Sequence, residues 1–157
     1  MQHLQNSLFK VGLKVFEEMG FLLPTSEIDE EQASAPFEAG VSVNFSGPIE
    51  GTMLLTLSGN ILMDLAANMI GEDGLPDLPQ QLDALKEVAN VICGNLLPHV
   101  CGSESVFEIG EPQIRNQQDI GKGIFTQAVV KQPIGLEGGR ADLSLYISED
   151  YLSKVTK

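Results

Sequence analysis

Hydrophobic periodicity changes three times along this chain of 157 residues, and that order limits the folds open to it. Leu4, Leu8, Val11, Val15 and Met19 recur at spacings of three and four, the period of a helix with one apolar face. Val41, Val43 and Phe45 then alternate with Ser42, Asn44 and Ser46, the period of a strand buried on one side. A second, more apolar strand is expected over residues 51–58. Helical spacing returns over 60–70 and again over 80–97. Alternation returns in Ala141, Leu143, Leu145 and Ile147. The order is helix, two strands, two helices, then about three strands. Strands and helices do not take turns, which argues against a parallel sheet with crossover helices. The expectation is an α+β fold: an antiparallel-rich sheet with two or three helices packed against it.

Punctuation residues suggest where the elements end. Gly20 and Pro24 close the first helix, and the acidic stretch 27–32 reads as a solvated loop. Gly47-Pro48 breaks the first strand, so 41–58 reads as a hairpin with a longer loop. Ser58 is a suitable N-cap for the short helix and Gly71 closes it, followed by a loop over 72–79. Pro98 ends or kinks the long helix. Further strands are expected over 105–109, 123–132 and 140–147, with a turn over 135–139 joining the last two. Residues 1–157 form one domain in this reading. A chain of this length buries roughly 70% of its unfolded surface, so it needs no disulfide or metal to hold a core.

Charge narrows the partners. Nine Lys and Arg face twenty-two Asp and Glu, a net charge of −13. Such a surface repels nucleic acid and anionic membranes, and it suits a partner with a basic rim. Cys93 and Cys101 make no disulfide framework, and with His99 they fall short of the four ligands of a structural zinc site. The N-terminal stretch lacks the apolar core of a signal peptide, and no run approaches the roughly 20 apolar residues of a membrane span. A cytoplasmic, reduced setting is expected. Neither GxGxxG nor GxxxxGK[ST] occurs, so a nucleotide cradle has no support.

The long helix carries the functional signal. At about 100° per residue, Asp83, Glu87, Asn90 and Gly94 share a stripe roughly 60° wide. Leu82, Leu85, Val88, Ala89, Ile92 and Leu96 lie on the other side and pack inward. Two like charges four residues apart destabilise an isolated helix, and Gly94 costs up to about 1 kcal/mol relative to Ala. A helix built for stability alone would avoid both. An E-x-x-N fragment alone arises by chance in roughly one chain in three of this length, and a merely solvated face is the plain alternative. The full pattern Asp83-x3-Glu87-x2-Asn90-x3-Gly94-Asn95 is more restrictive.

In that pattern the chain resembles the CheC/CheX/FliY family of chemotaxis phosphatases, its CheX branch most closely. The family carries an Asp- or Ser-x3-Glu-x2-Asn motif on a long exposed helix, followed by Gly. The resemblance extends over roughly residues 8–147, through the strand at 51–57, the short helix ending in Met-Ile-Gly and the two C-terminal strands. It implies a CheC-like fold and a phosphatase for the aspartyl-phosphate of a CheY-type response regulator. By matching positions, Asn90 would orient the attacking water and Glu87 would contact a lysine of the partner. Asp83 and Gly94 would serve docking. The protein would need no cofactor of its own, the Mg2+ being expected in the partner. Only one copy of the motif is present: Gly20 and Phe21 stand at the +3 positions after Glu17 and Glu18, and Asn68 stands four after Asp64. A homodimer is implied by the resemblance only.

Two other functions remain open on the residues. One is a non-catalytic module of the same fold that docks a response regulator or a flagellar-switch component. The other is a metal hydrolase built on Asp83 and Glu87. Its weakness is the lack of a nearby histidine, since His99 falls about 120° away from Glu87.

Overall fold

The structure is a computed structural model describing residues 2–71, 74–126 and 128–148. In chain order it contains α1 (Gln2–Gly20), α2 (Glu30–Ala33), β1 (Phe37–Ser46), β2 (Gly51–Gly59), α3 (Leu62–Ile70) and α4 (Leu78–Cys101). Then come β3 (Glu108–Ile109), β4 (Gln113–Arg115), α5 (Gln117–Ile120), a 3-10 turn over Gly123–Thr126, β5 (Val130–Leu136) and β6 (Gly139–Ile147). The strands form one antiparallel sheet in the order β3-β1-β2-β6-β5, with β4 also paired to β1. The α+β expectation holds.

Register builds the core. Val41 lies opposite Leu55, and Leu55 opposite Leu143, so apolar side chains form rows across one face of the sheet. The buried faces of α1, α3 and α4 close over that side. A Cβ at Gly12 would lie 2.6 Å from Leu143 Cδ1 and 2.7 Å from Ile134 Cδ1. Glycine there lets α1 sit directly on the sheet.

The opposite face departs from expectation. Alternation suggested polar side chains turned to water, yet Ser42 is only 2% exposed, and Thr52, Ser58, Asp142 and Ser144 are buried with it. The chain after β4 crosses this face. Arg115 Nε donates to Ser42 Oγ at 2.9 Å, and its guanidinium lies 5.3 Å from the centre of the Phe125 ring. Phe125 meets Tyr146 edge-on at 5.5 Å, and the Tyr146 hydroxyl donates to the Phe125 carbonyl at 3.0 Å. Alternation separates polar from apolar; it does not show whether the polar side is wet. Among the described residues no buried side-chain nitrogen or oxygen lacks a partner.

Several boundaries also move. The stretch 27–32 is not all loop: Asp29 caps α2, and the Gln32 side chain donates to the Leu136 and Gly139 carbonyls at 3.0 and 3.2 Å. Ser58 stays in β2, and the amides of Ile61 and Leu62 donate instead to Glu38 Oε1 at 2.8 and 3.1 Å. Of the strand expected over 105–109 only β3 forms, and β4 was not anticipated. The strand expected over 123–132 begins at Val130 and continues through Pro133. That is permitted because β5 lies at the sheet edge, where a missing amide hydrogen breaks no ladder. Gln127 of that expected strand, and residues 72–73 of the expected loop over 72–79, lie outside the described residues. No helix among the described residues is long and apolar enough to cross a membrane.

Candidate functional site

α4 begins with a reciprocal cap. Asp77 accepts from the Gln80 amide, and Gln80 accepts from the Asp77 amide, both at 2.9 Å. The helix then runs 24 residues, about 36 Å, and does not stop at Leu97. Ala84, Leu85, Val88, Ala89, Ile92, Cys93, Leu96 and Leu97 are buried, which fixes the rotation of the helix about its axis. The expected stripe therefore faces outward: Asp83, Glu87, Asn90 and Gly94 are all exposed.

Among the described residues these side chains have no internal partner. The one ion pair among the described residues joins Arg140 to Asp142 at 3.1 Å, and no described hydrogen bond takes up the Asp83, Glu87 or Asn90 side chains. Two carboxylates and an amide thus stand on one helix side with their bonding capacity available to a partner. Asn offers both a donor and an acceptor, enough to hold one water from two directions. Glu87 offers acceptors only. Gly94 is not demanded by the fold: a Cβ there would meet only Ile109 Cδ1, at an ordinary 3.9 Å. Its flatness leaves room for a neighbouring backbone.

Among the described residues no group of three or more His, Cys, Asp or Glu is placed to hold a metal ion. His99 is exposed. Cys93 is fully buried, and burial pushes its thiol up to about 12, which leaves it a neutral filler of the core.

The family model for "Chemotaxis phosphatase CheX" matches residues 39–123, more than half of the chain. The chain belongs to the CheX family. All four stripe residues lie inside the matched segment. Solved structures share the fold. Chemotaxis protein CheX from Vibrio vulnificus aligns at 17% identity and a TM-score of 0.68, over 92% of this chain and 96% of that one. A chain of the CheX–CheY–BeF3–Mg2+ complex from Borrelia burgdorferi aligns at 16% identity and 0.65, over 92% and 97%. FliY from Thermotoga maritima aligns at 15% identity and 0.58, over 99% and 94%. At such identities the CheX and FliY structures speak for the fold alone. No curated protein matches the chain.

Sequence reading did not anticipate a groove of about 820 Å3 at one end of the sheet, lined by Asn44, Glu50, Thr52, Glu108, Tyr146 and Ser148 among others. None of the four stripe residues lines it. No motif marks it, because its residues come together only through strand pairing.

Proposed function

We propose that this chain hydrolyses the phospho-aspartate of a CheY-type response regulator. The observation that supports this most is the outward stripe of α4, where Glu87 and Asn90 stand exposed and unpaired among the described residues. In this reading the regulator seats on α4. The Asn90 amide orients a water in line with the bond between phosphorus and the aspartyl oxygen. Water oxygen bonds to phosphorus, the phosphorus–aspartate bond breaks, and inorganic phosphate and a free carboxylate result. Glu87 contacts a lysine of the regulator, while Asp83 and Gly94 shape the docking face. The Mg2+ of the reaction is held by the regulator.

Phosphoryl transfer suits such a spare site. It depends on positioning and electrostatics more than on covalent help from the protein. A hundredfold acceleration takes only about 2.7 kcal/mol off the barrier, within the reach of one oriented water. The cytoplasmic setting and the homodimer belong to the same proposal.

The test is to mix the purified protein with a phosphorylated CheY-type receiver and follow phosphate loss. Loss that accelerates with substoichiometric protein, over many turnovers, supports hydrolysis. Stable binding with an unchanged rate supports the docking module instead.

A further inference from the structure

Lys86 is the only Lys or Arg among the 24 residues of α4. It lies one turn before Asn90 and about 40° from it around the helix axis, while Glu87 lies about 60° from Asn90 on the other side. Helical side chains lean back over the preceding turn, so the Asn90 amide projects over the turn that carries both. An ammonium and a carboxylate thus flank the amide from opposite sides.

The Lys86 charge is not spent within the chain. Glu87 is its neighbour in sequence, and adjacent helical residues do not face each other. Asp83 stands three residues earlier, a spacing that allows a pair, yet the one ion pair among the described residues joins Arg140 to Asp142 instead. No described hydrogen bond takes up the Lys86 side chain. Lys86 is half-buried, whereas Asp83, Glu87 and Asn90 are exposed. A lysine so placed packs its carbon stem and keeps its ammonium in water. Its stem has correspondingly less freedom to lose when the ammonium meets a partner.

The charge balance of the site gives that ammonium a use. A phosphoryl group brings roughly −1.5 to −2 of charge at neutral pH. It would approach a protein of net charge −13, on a helix side that carries Asp83 and Glu87. Repulsion alone would favour the unphosphorylated regulator, the wrong partner for a phosphatase. A cation beside Asn90 counters that preference where the phosphoryl group lands.

We propose that Lys86 reads the phosphoryl group: its ammonium donates to a phosphoryl oxygen of the docked regulator, while Glu87 takes the regulator lysine on the other side of Asn90. This rests on the regulator reading above. Lys86 then makes docking selective for the phosphorylated form. The phosphoryl charge is present before and during transfer, so the contact serves binding and leaves the chemical step nearly alone.

Three variants separate the charge from the stem and from the overall charge. Lys86→Met drops the charge and keeps an unbranched stem. Lys86→Arg keeps the charge. Lys131→Met removes an exposed positive charge elsewhere, on the edge strand β5. Each is titrated with a CheY-type receiver, once unloaded and once with beryllium trifluoride and Mg2+ at its aspartate, a stable stand-in for the phosphoryl group. Lys86→Met should weaken binding of the loaded receiver about fivefold to tenfold, between an exposed ion pair and a charge-assisted hydrogen bond. Its binding of the unloaded receiver and its melting temperature should stay as they are. With phosphorylated receiver its KM should rise by the same factor and its kcat stay within about twofold. Lys86→Arg should keep most of the selectivity and Lys131→Met all of it. Unchanged binding of the loaded receiver by Lys86→Met overturns the proposal. So does an equal loss for both receiver forms, which assigns Lys86 to general docking, or the same loss in Lys131→Met, which assigns the effect to net charge. An unmodified protein that neither binds nor dephosphorylates the receiver removes the regulator reading itself, a result visible before any variant is made.

Discussion

Asp83 and Glu87 place two negative charges four residues apart on an exposed helix side, and neither forms an ion pair among the described residues. Such a pair repels, and in the proposed function a partner lysine offsets that repulsion at Glu87. Glu87→Ala should leave thermal stability within about 0.5 kcal/mol, because the side chain is exposed and the repulsion is relieved. It should nonetheless weaken regulator binding and lower the dephosphorylation rate. Titration of the variant with phosphorylated receiver checks this, and unmodified binding and rate would remove Glu87 from the site. At the buried end of the same scale is Cys93, whose thiol burial raises from an ordinary 9.0 to about 12. Below pH 9 both folded and unfolded chains keep the proton, so the thiol adds no pH dependence. Between 9 and about 12 the unfolded chain loses it first, and stability must fall as pH rises. Denaturant melts across that range should show a shallower decline in Cys93→Ala than in the unmodified protein. Equal slopes would mean that the thiol is not shielded as its burial requires.

Among the elements, α3 is held at its start by a residue from another strand. Glu38 Oε1 accepts from the Ile61 and Leu62 amides, the role a local N-cap would play. Glu38→Ala should therefore cost about 1 kcal/mol, a fall in Tm of a few degrees for a chain of this size. Glu38→Gln, which keeps an acceptor oxygen, should recover part of it, and scanning calorimetry on both checks the ordering. The same contact shows what the sequence could and could not disclose. The α4 stripe was legible because helical period alone sets the relative directions of Asp83, Glu87, Asn90 and Gly94. The Glu38 cap was not, since its partners lie 23 and 24 residues away. The burial of Gln32 depends on carbonyls more than a hundred residues distant. The extent of β5 depended on its being an edge strand, which residue spacing does not reveal for Pro133. Local period carried the outward stripe, and long-range pairing carried the boundaries that were missed.

At the scale of the molecule, a fold shared with CheX and FliY structures sets the architecture without setting the activity. The net charge of −13 gives the whole surface a part in recognition. Association with a receiver through its lysine should weaken as ionic strength rises, mainly in the on-rate. Stopped-flow binding at several salt concentrations checks this, and a flat or rising affinity would assign docking to apolar contact. The central claim is that Asn90 on the open side of α4 organises the water that attacks phospho-aspartate. Its most direct test is dephosphorylation of a CheY-type receiver by the unmodified protein and by Asn90→Ala, with thermal melts of both. The account predicts a kcat lower by about a hundredfold, equivalent to about 2.7 kcal/mol of barrier, with receiver affinity and melting temperature nearly unchanged. An Asn90→Ala protein that is folded and dephosphorylates at the unmodified rate would contradict it.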